Sequence, residues 1–92
     1  MKLEHTETLE KISVKRQQER LQEIVLYNDD VNTFDWVIES LVDVCEHSAE
    51  QAEQCSIIIH YKGKCSVKSG TFKELEPRCK NLLERGLSAE IY

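Results

Sequence analysis

Apolar positions along the chain fall into short periodic stretches separated by polar turns. Ile24-Val25-Leu26-Tyr27 is a β-branched and aromatic run that stops at Asn28-Asp29-Asp30, which predicts a first strand followed by a turn. Phe34, Val37, Ile38, Leu41, Val44 and Cys45 then recur at helical spacing, with Asn32 or Thr33 placed to cap that helix and Asp35 in its first turn. Glu46-His47 ends it, and His47 reads as a solvated helix-end histidine. Ser48-x-x-Gln51 has the spacing of a capping box. Behind it, Ala52, Cys55, Ser56, Ile59 and His60 share one helical face, and this outweighs the strand preference of Ile57-Ile58-Ile59.

Gly63 predicts the end of that helix. Cys65 and Val67 alternate with Lys64, Ser66 and Lys68 as a half-buried strand reaching Gly70. Thr71-x-x-Glu74 is a further capping box, and Phe72, Leu75, Cys79, Leu82 and Leu83 mark a third amphipathic helix ending at Gly86. Pro77 inside it predicts either a kink or a helix that restarts there. Leu87, Ala89 and Ile91 alternate in a last strand. The order is β-α-α-β-α-β, an α+β sandwich in which three helices cover a small three-stranded antiparallel sheet.

Ninety-two residues, 40% of them hydrophobic, allow one modest core and argue against a large enclosed catalytic cavity. Residues 1–20 mix charges with few large apolar side chains and read as a flexible N-terminal extension. Residues 21–92 form the core domain. The formal net charge of −5 disfavours nucleic acid as a partner. Lys62, Lys64 and Lys68 read as a solvated strand edge that guards against aggregation. There is no apolar run of membrane-spanning length and no signal-like start, so a cytoplasmic location and no membrane partner are expected. Cys45, Cys55, Cys65 and Cys79 lack any Cys-x-x-Cys pairing, so reduced and mostly buried thiols are expected, with neither metal nor other cofactor.

The candidate chemistry lies in Tyr27-Asn28-Asp29-Asp30-Val31-Asn32-Thr33-Phe34, a polar hinge between strand and helix. Asn28, Asp29 and Asp30 place an amide and two carboxylates on consecutive residues where the backbone must turn. Such acceptors can also converge on a small cation. On the second helix Ser56, Ile59 and His60 stand at i, i+3 and i+4, so one face presents a polar tip beside an apolar wall.

Leu26-Tyr27-Asn28-Asp29-Asp30, Phe34-x-x-Val37-Ile38 and Ile59-His60-Tyr61-Lys62-Gly63-Lys64 together resemble the ClpS family, adaptors that select substrates by their N-terminal residue for a Clp protease. The resemblance covers roughly residues 21–85. It implies that Asn28, Asp29 and His60 bind the substrate's α-amino group and first peptide unit, and that Asp30 shapes the loop. Asn32, Phe34, Ser56 and Ile59 would line the pocket for a bulky first side chain: Leu, Phe, Tyr or Trp. Ser56 stands where the family usually has a larger apolar residue. The implied partners are N-degron substrate proteins and a ClpA- or ClpC-type AAA+ unfoldase working with the ClpP peptidase, engaged by a monomer that is not itself an enzyme. An acid–base or metal site at Asp29, Asp30 and His60 ranks lower, because no nucleophile motif or ligand spacing accompanies those residues. A general interaction module is the alternative, since the element order is also similar to the C-terminal domain of the ribosomal stalk protein.

Overall fold

The structure is a computed structural model and describes residues 20–92, so all but the last residue of the expected N-terminal extension lies outside the described residues. Its elements are β1 (Gln22–Tyr27), α1 (Phe34–Cys45), α2 (Ala49–Lys62), β2 (Lys64–Gly70), α3 (Phe72–Glu84) and β3 (Ser88–Ile91). The three strands form one antiparallel sheet in the order β2-β1-β3. This is the α+β arrangement that the apolar pattern predicts.

Each helix begins on the hydroxyl side chain that the sequence offers. Thr33 Oγ1 accepts from the backbone N–H of Trp36 at 3.1 Å, and Ser48 Oγ from that of Gln51 at 3.1 Å. Thr71 Oγ1 accepts from Glu74 N–H at 3.3 Å and donates to the Glu74 carboxylate at 3.0 Å. Each such cap satisfies a helix donor that would otherwise be unpaired. Because Thr33 caps α1, Asn32 is left free for other work.

β1 is the central strand, and its Ile24 and Leu26 enter the main core while Val25 points to the other face. Leu41 and Val44 of α1, Ala52 and Ile59 of α2, and Leu75, Cys79 and Leu82 of α3 close over them. Burial of each large aliphatic side chain stabilises the fold by about 1.5–3 kcal/mol. β2 is an edge strand, with Lys64 exposed and Lys68 half-buried along it.

One expectation needs correction. His47 is not solvated but 5% exposed. The reason lies in β2, where Ile24 pairs with Lys68 but Val25 pairs with Ser66, which leaves Val67 as the extra residue of a β-bulge. The Val67 carbonyl is buried there, and His47 Nε2 donates to it at 2.5 Å. Glu46, in the left-handed conformation at φ 58°, turns the chain so that the His47 ring folds inward. Of the two arrangements open at Pro77, the restart is not the one found, and α3 runs through the proline as one helix from Phe72 to Glu84. All four cysteines are free; Cys45 and Cys79 are buried, while Cys55 and Cys65 are half-buried against the core.

Candidate functional site

The site forms where two chain reversals meet. Gly63 closes α2 in a left-handed conformation, φ 90°, which glycine adopts without the steric penalty of a side chain. Its N–H donates to Ile59 O, and its carbonyl accepts from Asn28 N–H, both at 2.9 Å. The end of α2 is thereby stitched to the end of β1, and His60 comes beside the Asn28–Asp30 turn.

Asp29 organises that turn. Its Oδ1 accepts from the backbone N–H groups of Val31 and Asn32 at 2.9 and 2.8 Å, and its Oδ2 from the Asn32 side-chain amide at 2.7 Å. Partial burial pushes the Asp29 carboxyl up. The hydrogen bonds from the Asn32 backbone, the Asn32 amide and the Val31 backbone outweigh that effect and hold its pKa below the ordinary aspartate value. Asn32 Nδ2 also donates to Gly86 O at 2.9 Å, which ties the loop to the turn after α3. That turn is itself fastened by Trp36 Nε1 donating to Arg85 O at 3.0 Å, with the Arg85 guanidinium stacked over the Trp36 ring.

Between loop and helices lies a cleft of about 380 Å³. Asn28, Asp29, Asp30 and His60 line its polar part; Asn32, Phe34, Ser56 and Ile59 line the rest. All eight residues singled out in the sequence therefore face one cavity. Val37 completes the lining. It lies one turn after Phe34 on α1, and that spacing, with its place in the Phe34-x-x-Val37-Ile38 motif, was the available signal, although it was not among the expected pocket residues. Ile59 and Ser56 are buried, Phe34 is 43% exposed at the rim, and His60 is exposed with its ring edge-on to Tyr61. Among the described residues no Lys or Arg lines the cleft, and its lining includes the two carboxylates of Asp29 and Asp30. Asp30 makes no side-chain hydrogen bond among the described residues, whereas both oxygens of Asp29 are engaged within the loop. Asp29 thus carries the loop-shaping contacts that the resemblance implied for Asp30. Among the described residues, no group of three or more His, Cys, Asp or Glu side chains is arranged to hold a metal ion.

A cleft with acceptors at its mouth and an apolar interior, set on a three-stranded, three-helix α+β scaffold, defines a small domain suited to a ligand with a cationic head and a nonpolar body. The family model for the ATP-dependent Clp protease adaptor protein ClpS matches residues 17–90, and the chain belongs to that family. It is 38% identical over 58 residues to the ClpS adapter proteins of several Campylobacter jejuni strains, a stretch covering 63% of this chain and 58% of theirs. The ClpS adapter of Pectobacterium carotovorum is 33% identical over 72 residues, covering 71% of this chain and 68% of the relative. A 50-residue stretch is 40% identical to the E3 ubiquitin-protein ligase UBR1 of Drosophila melanogaster, covering 54% of this chain and 3% of that protein. Among solved structures, Agrobacterium tumefaciens ClpS2 bound to L-phenylalaninamide superposes with a TM-score of 0.71 at 20% identity, covering 78% of this chain and 96% of that one.

Proposed function

We propose that this domain is an adaptor that binds the free α-amino group and bulky first side chain of N-degron substrate proteins and delivers them to a Clp AAA+ unfoldase. The observation that carries the reading is the cleft itself, lined by Asn28, Asp29, Asp30 and His60 together with Asn32, Phe34, Val37, Ser56 and Ile59. The chemistry supports it. An α-ammonium group needs convergent acceptors and negative charge, which Asn28, Asp29 and His60 supply with the Asp30 carboxylate beside them. The first side chain then enters the apolar part, where burying Leu or Phe contributes about 1.5–3 kcal/mol. Further support comes from the ligand of the Agrobacterium protein, which joins a free α-amine to an aromatic side chain.

In this reading the protein acts as a cytoplasmic monomer and catalyses nothing. Its partners are N-degron substrates and a ClpA- or ClpC-type unfoldase with its ClpP peptidase, and residues 1–20 engage the unfoldase as an extension of the domain. No helix among the described residues is long and apolar enough to cross a membrane.

Fluorescence anisotropy with labelled peptides beginning with Leu or Phe tests the binding half. The free peptides bind at micromolar or tighter concentrations, and acetylating the α-amine, which removes the cation, abolishes binding. An acetylated Leu-peptide that binds as well as the free one refutes the amino-group assignment. The delivery half is read from the degradation rate of a folded protein with an N-terminal Leu, mixed with unfoldase and peptidase with and without this chain.

A further inference from the structure

We infer that the cleft sorts large first side chains by what they carry at their tip, favouring Tyr and Trp, which bear a hydrogen-bond donor there, over Phe and Leu. This rests on the proposed reading that the cleft receives the first residue of a substrate. The evidence is the hydrogen-bond state of its two polar wall residues, Ser56 and Asn32. Ser56 is 3% exposed, and its hydroxyl donates one turn back to Ala52 O at 2.8 Å. Its proton is spent, while the oxygen keeps acceptor capacity that no donor among the described residues uses. Asn32 repeats the pattern. Both Nδ2 protons are committed, to Asp29 Oδ2 and Gly86 O, and its Oδ1 accepts nothing among the described residues.

The polar groups within an otherwise apolar wall of Phe34, Val37 and Ile59 are therefore acceptors whose own donors are occupied. A Phe or Leu side chain strips water from these oxygens and returns nothing. A phenol O–H or an indole N–H at the same depth donates to the Ser56 oxygen, the deeper and more buried of the two. Serine is also short, so the inner end of the cleft has room for the extra oxygen of Tyr or the second ring of Trp. A volume of about 380 Å³ accommodates either side chain.

The test is anisotropy on the intact chain with peptides that differ only in residue one: Leu, Phe, Tyr or Trp. A neutral hydrogen bond of ordinary net strength predicts that the Tyr peptide binds about three- to tenfold more tightly than the Phe peptide. Ser56→Ala keeps the helix and the small side chain but removes the acceptor, and it should bring the Tyr to Phe ratio below about two. A structural defect would weaken all four peptides alike and leave that ratio unchanged. Ser56→Met, which fills the inner end, should cost the Trp peptide at least tenfold more than the Leu peptide. Equal affinities of the intact chain for Tyr and Phe peptides overturn the inference, as does a Tyr preference that survives Ser56→Ala. If all four bind equally and acetylation abolishes each, the adaptor reading stands and tip selection is wrong. If none binds, both fall.

Discussion

At the scale of single residues, position was legible where spacing alone determines it, and role was not. The consecutive Asn28-Asp29-Asp30 and the i, i+3, i+4 set on α2 had to share a side of the molecule once the turn and helix formed, and all eight candidates line one cleft. Which carboxylate shapes the loop depends on backbone angles that residue names do not specify. It is Asp29 whose oxygens accept three hydrogen bonds. His47 was misread for a related reason, since neither a left-handed Glu46 nor a bulge that leaves the Val67 carbonyl in need of a donor shows in a hydrophobic pattern. Asp29→Ala should therefore cost about 1–2 kcal/mol of folding stability at pH 7, besides weakening peptide binding. Because the folded-state pKa of Asp29 is depressed, its contribution is present above the ordinary value of 3.8 and is lost as pH falls through the folded value. Urea unfolding of both chains should show the gap between wild type and variant narrowing below about pH 4. A gap that is absent at pH 7 would mean that the loop does not depend on this carboxylate.

Element boundaries were the most legible feature, because each helix carries its own start signal in Thr33, Ser48 or Thr71 and the stop signals Gly63 and Gly86 are glycines at positive φ. The interior of α3 was less so. Local preference at Pro77 favours a break, yet Leu75, Cys79 and Leu82 all bury on one face only if the helix continues, and that packing prevails. The cost remains in the folded state: Pro77 has no N–H for the carbonyl one turn back, and its ring crowds that carbonyl. Pro77 is exposed, so replacing it disturbs no core contact. Pro77→Ala should stabilise the domain by about 1–2 kcal/mol, the helix gain being partly offset by the freer unfolded chain, and raise Tm by roughly 5–10 °C. A circular-dichroism melt reads this directly. An unchanged or lowered Tm would show that the proline sits in α3 without strain.

For the whole molecule, the cysteines, expected from the sequence as reduced and mostly buried thiols, set how the fold responds to alkali. Burial, the largest cause, pushes the Cys45 thiol from its ordinary value of 9 up to about 11. Burial, together with the neighbouring Cys65 thiol, pushes Cys55 up to about 12. Both side chains pack where the two helices that carry the cleft meet the sheet: Cys45 is buried at the end of α1, and Cys55 on α2 lies one residue before Ser56. Above pH 9 the unfolded chain releases thiol protons that the folded chain still holds. Their contribution is therefore complete below about pH 9 and is lost as pH rises toward 11 and 12. Cys55 is half-exposed and its share is correspondingly discounted, so the expected loss between pH 8 and pH 10 is about 1–2 kcal/mol. Urea midpoints at the two pH values measure it, with Cys45→Ala as the control for every other change over the interval. Whatever its baseline stability, that variant should lose about 1 kcal/mol less than the parent chain over the interval. An identical loss in both would show that the Cys45 proton is no more tightly held in the folded domain than in the unfolded chain.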